Sequence, residues 1–298
     1  MAEISVNPGH LGGGITTMPN GNILYSPGDC TIFGLDGRYA PQLDDEWCGK
    51  IHVLYPKKRG KYNTVAKGVR NSQQMRLYKE KNKKRPKKGG KKFKPGKWRL
   101  AFMDMGGVTA EEVNSFNLGK LLQTKNGLTN FGWGRSIKDG KAREGVFYVE
   151  NGIGGVLGSQ PACMMNAEIG EEGYVQPWIQ FGRSYTDFFY AISSLAIPSA
   201  SDDVKLLWTE LNTGILMGTP ASPQDPDEYT GPATAYKYKL FDSDGTTELD
   251  AFNDLVQKEL GDVGYYRGDA RLFHYPDGSV GVFIERTGVF YKLTQVSL

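Results

Sequence analysis

Short apolar runs alternate with turn-forming residues along most of the 298-residue chain. Runs of four to eight apolar or β-branched residues, bounded by Gly, Pro, Asn or Asp, are typical of β-strands joined by tight turns. The segments that predict strands are GITTMPNGNILYSPG, WCGKIHVLYP, QMRLYKE, KWRLAFMD, EGVFYVENG, VKLLWTEL, TAYKYKLF and DARLFHYPDGSVGVFIERTGVFYKLT. The pattern therefore predicts an all-β fold.

Helical periodicity is clear in one segment, TTELDAFNDLVQKELG, which spans residues 246–261. Apolar residues recur there at the three- and four-residue spacing that gives a helix one apolar side. That side comprises Leu249, Phe252, Leu255, Val256 and Leu260. We predict one amphipathic helix packed on the β structure.

One strand-turn-strand unit occurs near both ends of the chain, as MPNGNILYSPGD and as YPDGSVGVFIERTG. The Asn-Gly and Asp-Gly pairs accept the positive φ that tight hairpins require. Recurrence of such a unit favours a radial repeat such as a β-propeller, while a sandwich or another all-β fold stays open. We treat residues 1–298 as a single domain.

Composition and hydropathy restrict the class of protein. The chain is 39% hydrophobic and 23% charged, and it contains no apolar run long enough for a membrane helix. The first ten residues, MAEISVNPGH, lack the features of a signal peptide. The three cysteines allow at most one bridge and show no metal-ligand spacing, so we expect a fold that does not depend on disulfides.

The net charge of +3 hides a strong asymmetry. Residues 79–99 hold 12 of the 36 basic residues and one of the 33 acidic residues, which leaves the rest of the chain at about −8. We predict that this segment is a basic hairpin loop inserted between two strands. It is either a solvated loop or a patch for an anionic partner. Nucleic acid is disfavoured because few aromatic residues interleave the lysines.

The ordered motifs of the chain resemble those of the soluble PQQ-dependent sugar dehydrogenases, the glucose and aldose sugar dehydrogenase family of six-bladed β-propellers. The motifs are HLGGGITTMPNGNILYSPGD, LDDEWCGKIHVL, KGVRNSQQM, DMGGVTAEEVNSFNLGK with TNFGWG, LLWTELNTGILMG and RGDARLFHYPDGSVGVFIERTGVFYKL. They cover nearly the whole chain in the order of the family. The resemblance implies an oxidoreductase that oxidises an aldose sugar with PQQ and Ca²⁺.

The resemblance assigns a catalytic role to three residues. His10 matches the general base that removes a proton from the anomeric hydroxyl while hydride passes to PQQ, a task suited to a neutral imidazole. Asp29 matches the acidic residue that orients this imidazole. Arg70 matches the arginine whose positive charge stabilises the reduced quinone. Judged from the residues alone, each could instead be a turn or structural residue.

Further positions match cofactor and metal residues of the family. Those expected to bind PQQ are Asn71, Gln73, Trp178, Arg267 and Arg271. The calcium positions are Gly106 and Gly107, through their carbonyl groups, and Glu112. The other two histidines have no such match: we expect His52 to be a strand residue with local partners, and His274 to face solvent.

The chain also departs from the family pattern. Asn212 stands where the family has a lysine that binds a PQQ carboxylate, and Met105 stands where a glutamine is expected. The family carries two further blades ahead of the histidine. We therefore expect about four blades, in a propeller that is incomplete, closed on itself, or completed by a second chain.

The leading hypothesis is a PQQ-dependent sugar oxidoreductase that is secreted to the periplasm or the extracellular space, as the family is. The alternative is a non-catalytic propeller that binds carbohydrate or protein, and a third hypothesis is a scaffold element within an assembly. Asn212 and Met105 favour the non-catalytic alternative. The intact His10, Asp29 and Arg70 favour the enzyme.

Overall fold

A computed structural model describes residues 12–30, 37–79, 94–105, 110–135, 142–144, 174–182, 191–198, 203–224, 229–230, 232–261 and 270–295. These residues form mainly short strands with two α-helices. The predicted all-β class is confirmed.

The first two sheets are built from strands between residues 14 and 182. The first contains β1 (Gly14–Thr17), β2 (Ile23–Ser26), β3 (Lys50–Leu54), β4 (Tyr62–Lys67) and the short β8 (Thr129–Asn130), which pairs with β4 in parallel. The second contains β5 (Met75–Lys79), β6 (Trp98–Asp104), β7 (Ala110–Asn117) and β11 (Ile179–Gly182) in antiparallel order.

Residues 192–292 supply two more antiparallel sheets. The third sheet contains β12 (Ile192–Ala196), β13 (Leu206–Glu210), β14 (Leu216–Thr219) and β15 (Tyr236–Lys237), and the fourth contains β18 (Ala270–His274), β19 (Val280–Ile284) and β20 (Val289–Lys292). Two small ribbons join β9 (Trp133–Arg135) to β10 (Ala142–Glu144) and β16 (Leu240–Phe241) to β17 (Glu248–Leu249). The predicted strand EGVFYVENG lies, from residue 145 onward, outside the described residues.

The four sheets follow one another through the contacts of their first strands. Strand β1 packs beside β5, β5 beside β12, and β12 beside β18. Sheets that meet in this radial order are the blades of a β-propeller. The structure thus has four blades in the described residues, as the sequence pattern predicts.

Strand β6 shows why the blades pack on both faces. Leu100 and Phe102 point into the core between the first and second blades, whereas Ala101 and Met103 point into the core between the second and third. Successive side chains of a strand alternate between faces, so a strand buried on both sides is a continuous apolar run. The same rule places Leu207 and Trp208 of β13 in different cores.

The two copies of the repeated unit fold into the same turn. In the first hairpin Met18 donates its N–H to the carbonyl of Asn22, and in the last hairpin Tyr275 donates to Ser279. In both turns a glycine with positive φ, Gly21 or Gly278, donates back to the first residue. The P-[ND]-G motif therefore predicts the local geometry correctly at both ends of the chain.

The predicted helix is shorter than its periodicity suggests. Helix α1 (Leu118–Leu121) is a single turn, and α2 (Phe252–Leu260) begins six residues after the predicted start at Thr246. Asp254 accepts the N–H groups of Asp250 and Ala251, and this caps the helix at that point. The preceding Glu248–Leu249 pairs as a strand instead. Phe252, Leu255 and Val256 do face the core, as predicted.

The basic segment 79–99 connects two paired strands. Strands β5 and β6 are antiparallel neighbours, with Lys79 opposite Trp98. Residues 80–93 lie outside the described residues, so the role of this segment stays a prediction. Among the helices that are described, none is long and apolar enough to span a membrane.

Candidate functional site

Asp29 and Arg70 lie side by side, each three residues beyond the end of a strand of the first blade. The N–H of Asp29 donates to the carbonyl of Arg70 at 2.6 Å, which joins the segments that follow β2 and β4, two strands that β3 separates within the sheet. Both side chains are buried. The structure therefore brings together two of the three residues for which the sequence predicts a catalytic role.

Trp133 joins this pair from a distant part of the chain. Its indole Nε1 donates to Oδ2 of Asp29 at 2.9 Å, and its ring lies 5.1 Å from the guanidinium carbon of Arg70. Its own N–H donates to the carbonyl of Gly68, which fixes the ring beside the first blade. The sequence motif TNFGWG contains this tryptophan, but motif matching gives it no role.

Asp104 is a buried acid that sequence reasoning missed. Its carboxylate accepts the N–H of Arg70 at 3.0 Å and the N–H of Asn71 at 2.8 Å. Burial raises the pKa of Asp104 to about 7, against the lowering effect of these two N–H groups and of the Arg70 charge, while the charge of Asp29 adds to the increase. In the sequence, Asp104 is distinguished by being the acid that ends the apolar strand RLAFMD, and this could have suggested a buried carboxylate.

The guanidinium of Arg70 is held from a second side by the carbonyl of Met105, at 2.7 Å from Nη1. Met105 is buried, and its sulfur lies 3.5 Å from the amide nitrogen of Asn71. The methionine that departs from the family pattern therefore contacts both Arg70 and Asn71. The contact with Arg70 is made by the backbone carbonyl, which any residue at this position could supply.

A disulfide joins Cys30 to Cys48 directly beside Asp29. The expectation of a fold that does not depend on disulfides is wrong, because this bridge closes an 18-residue separation next to the site. Gly49 donates its N–H to Gly28, and Val69 donates to Gly49, so the ends of three strands are tied together at this point. The sequence did allow one bridge, but spacing alone does not pair cysteines.

A second group of predicted residues meets further along the same segment. Nη1 of Arg271 lies 3.4 Å from Oε1 of Gln73 and 2.6 Å from the carbonyl of Ser193. Gln74, the next residue, donates to the carbonyl of Leu272. The segment from Arg70 to Gln74 therefore connects the Asp29 cluster with the fourth blade.

Two other predicted residues lie apart from this arrangement. Trp178 is buried in the core between the second and third blades, where its Nε1 donates to the carbonyl of Ala221 at 3.1 Å and its ring stacks with Tyr78. Glu112 is buried on β7, directly opposite Asp104 across the strand pair, and Nδ2 of Asn114 lies 3.4 Å from its Oε2. Their roles as cofactor and metal residues stay predictions.

Four predicted residues lie outside the described residues: His10, Gly106, Gly107 and Arg267. The first described residue after His10 is Gly12, and the backbone of residues 27 and 28 leaves no room for a side chain there. A Cβ at Gly12 would lie 2.6 Å from the backbone nitrogen of Gly28, one residue before Asp29.

The remaining histidines have backbone partners. His52 is buried on β3 between the carbonyl of Trp47 and the hydroxyl of Thr64, as predicted, and burial lowers its pKa to about 4. The prediction that His274 faces solvent is wrong. Its Nε2 lies 3.0 Å from the carbonyl oxygen of Ile197, and burial lowers its pKa. The turn that follows His274 suggested an exposed side chain, but the third blade covers this end of β18.

Asn212 lies in a turn that follows β13 and is organised by a buried glutamate. Oε1 of Glu210 accepts the N–H of Asn212 at 2.9 Å, and the carbonyl of Asn212 accepts from Asn253 of α2. Asn212 thus links the third blade to the helix. Within the described ranges no group of three or more His, Cys, Asp or Glu side chains is arranged to hold a metal ion.

Comparison with known proteins finds similar folds but no similar sequence. No family profile matches the chain, and no curated protein matches it. Among solved structures, a glucose dehydrogenase aligns over 97% of this chain and 64% of its own, with 15% identity and a TM-score of 0.51. This likeness shows the fold.

Two further structures align at lower TM-scores. One is an oxidoreductase (glucose dehydrogenase) of Thermus thermophilus, with 16% identity, coverage of 94% of this chain and 61% of the other, and a TM-score of 0.48. The other is a PQQ-bound aldose sugar dehydrogenase of Streptomyces coelicolor, with 16% identity, coverage of 77% and 49%, and a TM-score of 0.44. The chain spans 49–64% of the length of these three structures.

Proposed function

We propose that the chain carries the active site of an oxidoreductase that oxidises an aldose sugar with PQQ. The observation that carries the proposal is the buried cluster of Asp29, Arg70, Trp133 and Asp104. It holds an arginine and two acids in contact at or just beyond the ends of β2, β4 and β6, and two of them, Asp29 and Arg70, match catalytic residues of the sugar dehydrogenases in the sequence resemblance. Buried ionisable groups with specific partners are typical of functional sites.

The residues beside this cluster fit an anionic, planar quinone in their chemistry. Arg70, Asn71, Gln73 and Arg271 supply two guanidinium groups and two amides within a short segment and its neighbouring strand. Guanidinium and amide N–H groups suit carboxylate and quinone oxygens. When bound, PQQ would supply the quinone that accepts hydride from the sugar.

The roles of the chain's own groups are assigned from the family resemblance and, for the described residues, from their contacts. His10 would take the proton of the anomeric hydroxyl, and Asp29 would orient the imidazole and stabilise its protonated form. Trp133 holds Asp29 through its indole N–H and lies against Arg70. Asp104 acts as a positioning residue, since it holds the backbone of Arg70 and Asn71 and does not itself face substrate in this assignment.

The proposed calcium site has one described side chain, Glu112. Glu112 is the one predicted metal residue within the described ranges, and its carboxylate lies near Asn114 and opposite Asp104 in the strand pairing. Backbone carbonyls of Gly106 and Gly107 would have to supply the remaining oxygen ligands. No step of the proposed reaction is assigned to the ion.

The disulfide supports a location outside the cytoplasm. Cys30 and Cys48 form a structural bridge, and such bridges persist mainly in oxidising compartments. We therefore propose a periplasmic or extracellular protein that acts on a small sugar, with a second chain as a candidate to complete the ring of blades.

Calorimetric titration with PQQ, with and without Ca²⁺, tests this function. An aldose panel with an artificial electron acceptor follows, using wild type, His10→Ala and Arg70→Gln, with Lys239→Gln of an exposed ion pair as control. We expect PQQ binding and dye reduction in wild type and control, loss of reduction in His10→Ala, and weaker PQQ binding in Arg70→Gln. A folded chain that binds no PQQ would refute the enzyme function.

The alternative is a propeller that binds carbohydrate or protein without catalysis. The observation that favours it is the internal partnering of Arg70, whose guanidinium already contacts the Met105 carbonyl and the Trp133 ring. Asn212, in place of a lysine, also supplies no charge for a cofactor carboxylate. Sugar binding without PQQ binding or dye reduction would support this alternative.

A further inference from the structure

The hairpin that joins β3 and β4 presents a dense group of positive charges. Residues 55–63, YPKKRGKYN, contain Lys57, Lys58, Arg59 and Lys61 and no acid. The whole stretch from Trp47 to Lys79 also lacks Asp and Glu. The acidic residues 44–46 precede β3, whereas the hairpin follows it, so the two groups lie toward opposite ends of that strand.

Two successive turns fix the shape of this hairpin. Lys58 donates its N–H to Tyr55, and Lys61 donates to Lys58, while Tyr55 donates to Lys61 across the base. Gly60 has a φ of +73°, which this turn requires. The lysines are therefore displayed on an ordered turn at the end of a buried sheet.

The basic side chains of the hairpin form no ion pair with any residue that the structure describes. This contrasts with Lys67, nearby on β4, which pairs with Asp44 at 2.8 Å. Four like charges within five residues repel one another, and an anionic ligand would relieve that repulsion. The hairpin is thus an unbalanced positive surface.

A surface hollow of about 430 Å³ lies within the hairpin, lined by Tyr55, Lys58, Gly60, Lys61, Tyr62 and Asn63. Tyr62 is 50% exposed, and its ring makes perpendicular contacts with the stacked rings of Trp47 and His52, which hold it in place. Asn63 donates to the hydroxyl of Tyr55, so the hollow offers a fixed phenol and an amide as well as charge. Such a set can hydrogen-bond hydroxyl groups and pair with an acidic group at once.

We propose that this hairpin binds an acidic polysaccharide, a chain of sugars that carry carboxylate groups. Lys58 lies 5.6 Å from the ring of Tyr55, so Tyr62 is the ring that remains half exposed for a ligand. A single supported ring suits the face of one sugar, whereas a single-stranded nucleic acid binds best to several rings on which successive bases stack. The surface is separate from the Asp29 cluster, and the inference does not depend on the proposed oxidoreductase function.

Binding of a fluorescent galacturonate tetramer to the full chain tests this inference, with a neutral galactose tetramer as the matched ligand. We compare wild type with Lys58→Gln/Lys61→Gln, with Tyr62→Leu, and with Lys239→Gln/Lys292→Gln, which removes the same charge elsewhere. We expect the hairpin double variant to weaken binding about tenfold, Tyr62→Leu to weaken it about threefold to tenfold, and the distant double variant to leave it unchanged.

The affinity for the acidic tetramer should also fall with added salt, and the neutral tetramer should bind far more weakly. The inference would be overturned if the distant double variant lost as much affinity for the acidic tetramer as the hairpin double variant. It would also be overturned if the hairpin double variant bound the tetramer as tightly as wild type. In either case, positive charge elsewhere in the chain, such as residues 79–99, would be responsible for binding. Tighter, hairpin-dependent binding of a thymidine oligonucleotide or of phosphatidylserine vesicles would overturn it in favour of that other partner.

Discussion

The indole nitrogen of Trp133 lies 2.9 Å from a carboxylate oxygen of Asp29, although 104 residues separate them in the sequence. The parallel pairing of β8 with β4 brings the segment of Trp133 to the edge of the first blade. A donor from a distant segment therefore satisfies one oxygen of a buried carboxylate. This contact links the stability of the site to the packing of the outer strand.

Trp133→Phe should destabilise the protein by about 2 kcal/mol, because a buried carboxylate loses its indole donor. The matched control is Trp178→Phe, which removes an indole bond to a neutral carbonyl and should cost only about 1 kcal/mol for that bond. Urea unfolding measures both values. Equal losses in the two variants would mean that the charge of Asp29 adds nothing to the interaction.

Asp104→Asn should change how stability depends on pH. Burial raises the pKa of Asp104 to about 7, so the folded state binds a proton between about pH 4 and pH 7 that the unfolded state has released. The stability that this carboxyl contributes is therefore present at low pH and falls as pH rises to 7. For a pKa shift of this size, the free energy of unfolding falls by up to about 4 kcal/mol over this pH range. Asparagine does not titrate, so the variant should not show this fall.

Unfolding free energies of wild type and Asp104→Asn, measured between pH 4 and pH 8, test this expectation. Asp277→Asn serves as control, because the hydroxyl and N–H of Ser279 hold the pKa of Asp277 below its usual range. Its contribution is lost only on acidification below about pH 4. Parallel pH profiles for wild type and Asp104→Asn would contradict the assignment.

Gly68→Ala should destabilise the first blade strongly. Gly68 has a φ of +72°, and a Cβ there would lie 2.4 Å from the amide oxygen of Asn130 and 2.7 Å from the nitrogen of Gly132. Gly21→Ala is the matched control, since its φ is similar and no atom lies near the added Cβ. We expect a loss of about 1 kcal/mol at Gly21 and at least about 3 kcal/mol at Gly68, measured by thermal or urea unfolding.

Reduction of the Cys30–Cys48 bridge should lower stability by about 3 kcal/mol, as for a loop of this length. Cys30→Ser/Cys48→Ser should reproduce the effect and should not respond to reductant. Thiol titration of the denatured, non-reduced chain should count one thiol, from Cys163. A count of three would show that the bridge does not form.

The sequence by itself determined the class of fold and its local pieces. Alternation along WRLAFMD placed successive side chains in two different cores, and the P-[ND]-G motif specified the same turn in the first and last hairpins. The motif resemblance also selected Asp29 and Arg70, which the structure brings together. These features are readable because period-two burial and turn chemistry act between residues close in the chain.

Tertiary structure alone decided the contacts between distant segments. Nothing near Asp104 in the sequence indicates that it accepts the backbone of Arg70, and nothing near His274 indicates that Ile197 covers it. The pairing of Glu248–Leu249 as a strand ahead of α2 and the pairing of Cys30 with Cys48 depended on neighbouring segments in the same way. Burial and long-range hydrogen bonds arise from the packing of blades, and a linear pattern specifies which faces are apolar but not which partners they meet.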